Sequence, residues 1–238
     1  RGEKLRIVAE EEQIPRVRDN LQLGLVIPDR EILLGWGISR EVIDAQEKIT
    51  SHFSLKRKDG SLAQIEDMVE LIPFHRDGHV VLDGVDIRTS ARNVFTVTCG
   101  SESMPVDLNF YGHQPPPIRI ETCQTDLKRS AFSAIALSKC TSGFDPKGYT
   151  TGFLLLVNSQ PIMVDGVPWI KDHLRALGFH PGEIVANIIS HVHEDHVSIM
   201  EAIINGMKVH LITTREIFFC FARKIANTIG WTEERVNI

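Results

Sequence analysis

His191, His193, Asp195 and His196 fall within six residues, His191-Val192-His193-Glu194-Asp195-His196. Imidazole nitrogen and carboxylate oxygen are ligands suited to zinc, iron or manganese, so this run is a candidate site for one or two divalent ions. Its spacing argues against a helix. A helical metal site sets its histidines four apart on one face, whereas residues two apart share a side only when the chain is extended. Residues 184–190, Ile-Val-Ala-Asn-Ile-Ile-Ser, are too short and too β-branched for a helix. They predict a buried, parallel strand that delivers the histidines at its end. On extended backbone Glu194 points away from His193 and Asp195, which makes it a poor general base.

The elements before the run fit a single plan. Residues 152–157 and 161–164 read as a hairpin turning at Asn158-Ser159-Gln160, with Asp165-Gly166 closing its second strand. Residues 168–177 read as a short helix with Pro168 at its start, Gly178 as its stop and Pro181 beyond. After the run, 197–205 reads as a helix ended by Gly206 and 208–212 as a strand. Thr213-Thr214-Arg215-Glu216 reads as a capping box opening a helix to about Thr228.

With its flanks in this order, His-x-His-x-Asp-His resembles the signature of the metallo-β-lactamase superfamily. The resemblance implies an α/β fold, the αββα sandwich, incomplete in this chain and preceded by a mainly helical N-terminal region. It also implies two divalent ions, zinc first, with iron or manganese as alternatives. His191 and His193 would ligate the first ion and Asp195, also the catalytic carboxylate, and His196 the second. Asp165 would orient the site by hydrogen bonding. The implied reaction is hydrolysis by a metal-bound hydroxide. The Ser190-His191 opening is similar to that of nuclease and phosphodiesterase branches, which favours a phosphodiester or other phosphorylated substrate. A thioester or lactone hydrolase of glyoxalase type is the alternative on a carbonyl. A di-iron redox protein or a non-catalytic binding scaffold is the alternative in kind.

Two departures accompany the resemblance. Ser198 replaces a glycine common at that place. The family's further histidine, bridging aspartate and last histidine come from later in the chain, and after His196 this sequence offers only His210, within a predicted strand and read as structural. The opening on Arg1 and the close on Ile238 favour a fragment of a longer domain over a degenerate member. A homo-oligomer or a second chain completing the domain is the corresponding partner expectation.

Composition bounds the rest. The 238 residues are 42% hydrophobic, enough for a sizeable core, and the formal charge of −5 gives no bulk attraction to nucleic acid or anionic lipid. A small-molecule or nucleotide-like substrate suits it better. No apolar run approaches the ~18 residues of a membrane span, and residues 1–20 alternate charges where a signal peptide needs an apolar core. Cys99, Cys123, Cys140 and Cys220 have no paired spacing, which reads as reduced thiols in a cytoplasmic protein.

A boundary is expected near Ala91, with residues 1–90 the N-terminal region and 91–238 the metal-binding domain. Residues 39–52 predict an amphipathic helix. Ser61-Leu62-Ala63-Gln64 predicts a capping box for a helix carrying Leu62, Ile65, Val69 and Ile72 on one face and ended by Pro73. Asp77-Gly78 and Asp83-Gly84 predict a hairpin near 79–88, and 93–99 a strand. Between 100 and 149, residues 118–121 and 132–137 look strand-like and Pro115-Pro116-Pro117 extended. His75, His79 and His113 are weaker ligand candidates. Lys56-Arg57-Lys58, Arg119, Lys128 and Arg129 are weak phosphate-contact candidates, and the substrate-binding residues are unassigned. Phe218, Phe219, Phe221, Trp169 and Trp231 read as core.

Overall fold

The computed structural model describes residues 4–109, 116, 118–122, 131–139 and 150–236. Internal contacts divide the chain into two units, residues 1–21 with 54–115 and residues 22–53 with 116–238. The architecture is α/β with a helical N-terminal region.

In order, the N-terminal elements are β1 (Leu5–Ala9), α1 (Ile14–Leu25), α2 (Arg30–Gly35), α3 (Arg40–Phe53), α4 (Ile65–Met68), β2 (Val69–Pro73), β3 (His79–Leu82), β4 (Val85–Ala91), β5 (Val94–Cys99) and β6 (Glu102–Asp107). In the first unit β1 and β2 pair in parallel, and β3 to β6 form an antiparallel meander. Asp83 and Gly84 both have positive φ, the backbone that a two-residue hairpin turn demands. Phe74 stacks on Phe95 at 5.6 Å between centroids.

Two expectations are corrected. The helix through residues 62–72 is a single turn, α4, capped by Gln64 and Asp67, and the chain then becomes a strand. Val69, Leu71 and Ile72 are good strand formers, and β1 supplies the ladder that local periodicity cannot reveal. Residues 118–122 form no strand, so β-like composition there lacks a pairing partner. β4 and β5 pair from Val85 with Cys99 to Ala91 with Val94. The Lys56-Arg57-Lys58 stretch is a surface turn in which Arg57 bonds Asp67 at 2.7 Å. His113, Lys128, Arg129, Cys123, Cys140, Pro115 and Pro117 lie outside the described residues. Cys99 is an exposed free thiol, and Cys220 is buried.

The second unit adds β7 (Phe132–Ala136), β8 (Phe153–Val157), β9 (Gln160–Val164), α5 (Ile170–Ala176), β10 (Ala186–Ile188), α6 (Ile199–Ile204), β11 (His210–Ile212) and α7 (Arg215–Ile229). Its sheet runs β11-β10-β9-β8-β7, with β9, β10 and β11 parallel and β7, β8 and β9 antiparallel. Register places Ile135, Leu154, Met163, Asn187 and Leu211 in one cross-strand row. Leu154 and Met163 are fully buried in a core that includes Leu174 of α5, Ile199 of α6 and Phe221 and Ile225 of α7. Each such side chain contributes about 1.5–3 kcal/mol by leaving water. On the opposite face Phe153, Leu155, Ile162, Val164 and Ile188 are half-buried, while Phe132 and Ile212 are exposed. Trp36 after α2 stacks on Phe219 at 5.4 Å, and its indole donates to Glu233. No described helix is long and apolar enough to cross a membrane.

Two buried polar side chains give measurable consequences. Asn187 is fully buried and neither end of its amide has a partner. An unpaired buried amide costs about 1–3 kcal/mol. Asn187→Leu is therefore expected to raise the urea midpoint by the equivalent of about 1 kcal/mol, and a lower midpoint would show that the amide is satisfied. His173 on α5 is buried with Nε2 unpaired, and desolvation holds its pKa below the ordinary imidazole value against the opposing pull of Asp172. A base whose pKa is depressed by folding contributes full stability above its unfolded value of about 6.5 and loses it as pH falls toward the folded value. Stability measured by equilibrium unfolding is expected to fall from pH 7 to pH 5, and His173→Leu should flatten that dependence.

Candidate metal centre

The site forms where two parallel strands end side by side. Residue 165 follows β9 and residue 190 lies just past β10, and the pairing of Val164 with Ile188 brings these ends together. Asp165 has φ of +55°, a left-handed conformation that an aspartate tolerates better than most residues, and its main-chain N–H donates to Ile188 O at 2.8 Å. The carboxylate thereby faces Ser190. Ser190 N donates to Asp165 Oδ1 at 2.8 Å and Ser190 Oγ to Oδ2 at 2.7 Å.

Ser190 Oγ also lies 2.8 Å from His191 Nδ1. A hydroxyl has one proton, and the carboxylate can only accept it, so the hydroxyl must accept from Nδ1–H. That assigns the Nδ1–H tautomer to His191 and leaves the Nε2 lone pair for a ligand. Burial lowers the pKa of His191, reinforced by His196 and His193 and opposed by Asp165 and Asp195, so its neutral, ligating form is favoured.

Backbone closes the rest of the loop. Gly166 N donates to His196 O and Ser198 N to Gly166 O at 3.2 Å. A Cβ on Gly166 would sit 2.7 Å from Ile199 N, so only glycine fits beside the start of α6. Asp165, His191 and His196 each present one ligand atom, all within 4.8 Å of one another. His196 Nδ1 is buried without a hydrogen-bond partner, 3.4 Å from Asp165 Oδ2, and its Nε2 is 3.2 Å from Asp195 Oδ2. The ring of His191 lies 4.2 Å from that of His196 and 4.5 Å from that of His193, by centroids. His193 is exposed, and neither it nor Asp195 joins the tight group.

The remaining candidates are elsewhere. His210 is exposed on β11, and Arg119 is exposed. His79 Nδ1 lies 2.8 Å from Asp77 Oδ1 in the first unit, its ring 5.6 Å from that of His75. Three residues that the motif did not single out enter the site. Buried Thr150 donates from Oγ1 to Asp195 Oδ2 at 2.6 Å, Ser190 relays between Asp165 and His191, and buried Lys224 of α7 donates to Glu194. Thr150 carries no local signal. Lys224 does, because the spacing Ile217, Phe221, Lys224, Thr228 sets it on the inner helical face.

Comparison with known proteins bears on the same stretch. Residues 135–231, running from within β7 to just past α7, match the family model described as Anti-Pycsar protein Apyc1. Two relatives come from Dictyostelium discoideum. The cGMP-dependent 3′,5′-cGMP phosphodiesterase A is 33% identical over 91 residues, 38% of this chain and 10% of the relative. The cAMP/cGMP-dependent 3′,5′-cAMP/cGMP phosphodiesterase B is 32% identical over 87 residues, 36% of this chain and 8% of the relative. The chain thus spans a tenth or less of the length of these relatives. No solved structure matches. Residues 135–231, which build most of the sheet and the candidate centre, are thus similar to that family model, and the chain is also similar to two enzymes named as cyclic-nucleotide phosphodiesterases.

Proposed function

We propose that the chain carries part of a metal-dependent phosphodiesterase of metallo-β-lactamase type, acting on the cyclic phosphodiester of a 3′,5′-cyclic nucleotide. The observation that carries this reading is the convergence of Asp165, His191 and His196 at the ends of β9 and β10. The names of the two relatives supply the substrate class. The overall charge of −5 suits a small anion drawn in by a local site better than a polyanion held over a broad surface.

The donor set fits a divalent ion. It combines imidazole nitrogens with carboxylate oxygen, one imidazole is held in a ligating tautomer, and His196 Nδ1 is buried with no partner of its own. His191, His193, Asp195 and His196 would hold one or two ions. Asp165, with both oxygens already accepting from Ser190, would orient His191. When bound, such ions lower the pKa of coordinated water to about 7 and polarise a phosphoryl oxygen. The protein's own contribution is placement. Thr150 fixes one Asp195 oxygen and leaves the carboxylate able to orient water or take its proton. Hydrolysis adds OH to phosphorus, breaks one ring P–O bond and returns a proton to the departing ribose oxygen, yielding a nucleoside monophosphate.

The test joins elemental analysis with product analysis on cyclic GMP and cyclic AMP, with and without a chelator. Metal-dependent appearance of the monophosphate is expected. Asp195→Ala and His196→Ala should each lower kcat by about 100-fold or more with less bound metal. Turnover of a thioester or lactone with both cyclic nucleotides untouched would overturn the assignment.

A further inference from the structure

Lys224 is fully buried, and among the described residues no other lysine or arginine is. A buried ammonium is tolerated only with a partner, and Lys224 Nζ donates to Glu194 Oε1. The Glu194 side chain is 61% exposed, so it caps the ammonium from the solvent side. Glu194 stands between His193 and Asp195. The chain turns there, with His196 N donating to His193 O at 3.0 Å, and from this turn Glu194 meets Lys224 of α7.

A second element encloses the same ammonium. A Cβ on Gly24 of α1 would lie 3.0 Å from Lys224 Nζ and 3.5 Å from Val192 O. The α1 backbone therefore sits against both the lysine and the metal loop, at the one helical position without a side chain. Leu23, Val192, Phe221 and Ile225 belong to the same apolar cluster, which seals this arrangement.

We propose that Lys224 is a positioning residue. Through Glu194 it fixes the 191–196 backbone from behind, so that His193 and Asp195 keep their orientation, while Gly24 holds the ammonium in place. This rests on the metal-site reading of the 191–196 loop. It adds residues of α1 and α7 that neither the motif nor the comparisons assign.

Zinc affinity by chelator competition tests it, with melting temperature recorded alongside. Partners that orient ligands cost about 10–100-fold in metal affinity when removed. Lys224→Met and Glu194→Gln are each expected to weaken zinc binding by that factor, and the double variant should be no weaker than the worse single one. Gly24→Ala, which presses on Nζ while favouring the helix, should weaken zinc in the same direction by less. Singles within about twofold of the unmodified protein, with only the melting temperature lowered, would reduce Lys224 to a fold-holding role and overturn the proposal. Independent, multiplying losses in the double variant would overturn it too. Should Lys224→Met fail to fold, Glu194→Gln and Gly24→Ala carry the same comparison. Absence of zinc binding by the unmodified protein would instead remove the metal-site reading, and this inference with it.

Discussion

The site depends on two hydrogen bonds between Asp165 and Ser190. They join the loops leaving β9 and β10, and the same serine passes the constraint to His191. Asp165 must adopt a left-handed backbone to make them, at a cost of order 1–3 kcal/mol. The surrounding parallel ladder and the bond from Asp165 N to Ile188 O hold that conformation in place. One polar residue thus determines where β9 ends, how β10 exits and which nitrogen of His191 faces the site.

Electrostatics favour the same arrangement. The His191 ring lies 4.2 Å from that of His196 and 4.5 Å from that of His193, so charges on these imidazoles repel, and partial burial of His191 penalises its charge further. His191 accordingly responds to burial first and to His196 and His193 next. Asp165 and Asp195 pull the other way. Imidazole nitrogens flanked by carboxylates have affinity for positive charge, which a divalent cation satisfies without protonating a ligand. On the proposed reading, that cation would let a chain acidic overall hold a phosphate ester locally.

Much of this was legible because its signals are local. The hairpin of β8 and β9, the stop at Gly178, the strand of residues 186–188, and α7 all follow from periodicity and turn residues within about ten positions. The His-x-His-x-Asp-His run and Asp165 were likewise visible, and the structure groups His191, His196 and Asp165 most tightly. What escaped is long-range. Residues 69–73 satisfied a helical stripe until β1, more than sixty positions away, offered a parallel edge. Thr150 reaches Asp195 across 45 positions, and no spacing rule announces such a contact. The capping box at residue 213 was displaced by one for the same reason. Thr213 Oγ1 is taken by Ile189 O, which leaves Thr214 to cap α7.

Ligand identity and ligand placement are therefore written at different distances in this sequence. Four side chains that can coordinate a metal cluster within residues 191–196, just past a strand end, and can be read directly. The groups that aim them need not cluster in this way, because a hydrogen bond can be supplied by any element that folds against the loop. Ser190 is adjacent, Asp165 is one βα unit away, Thr150 precedes the hairpin, and Lys224 comes from the helix beyond β11. On the proposed reading, a substitution at any of these would leave the motif intact while changing the geometry it presents. Two chains with identical His-x-His-x-Asp-His runs can thus differ in metal affinity by as much as a missing orienting partner costs, about 10–100-fold.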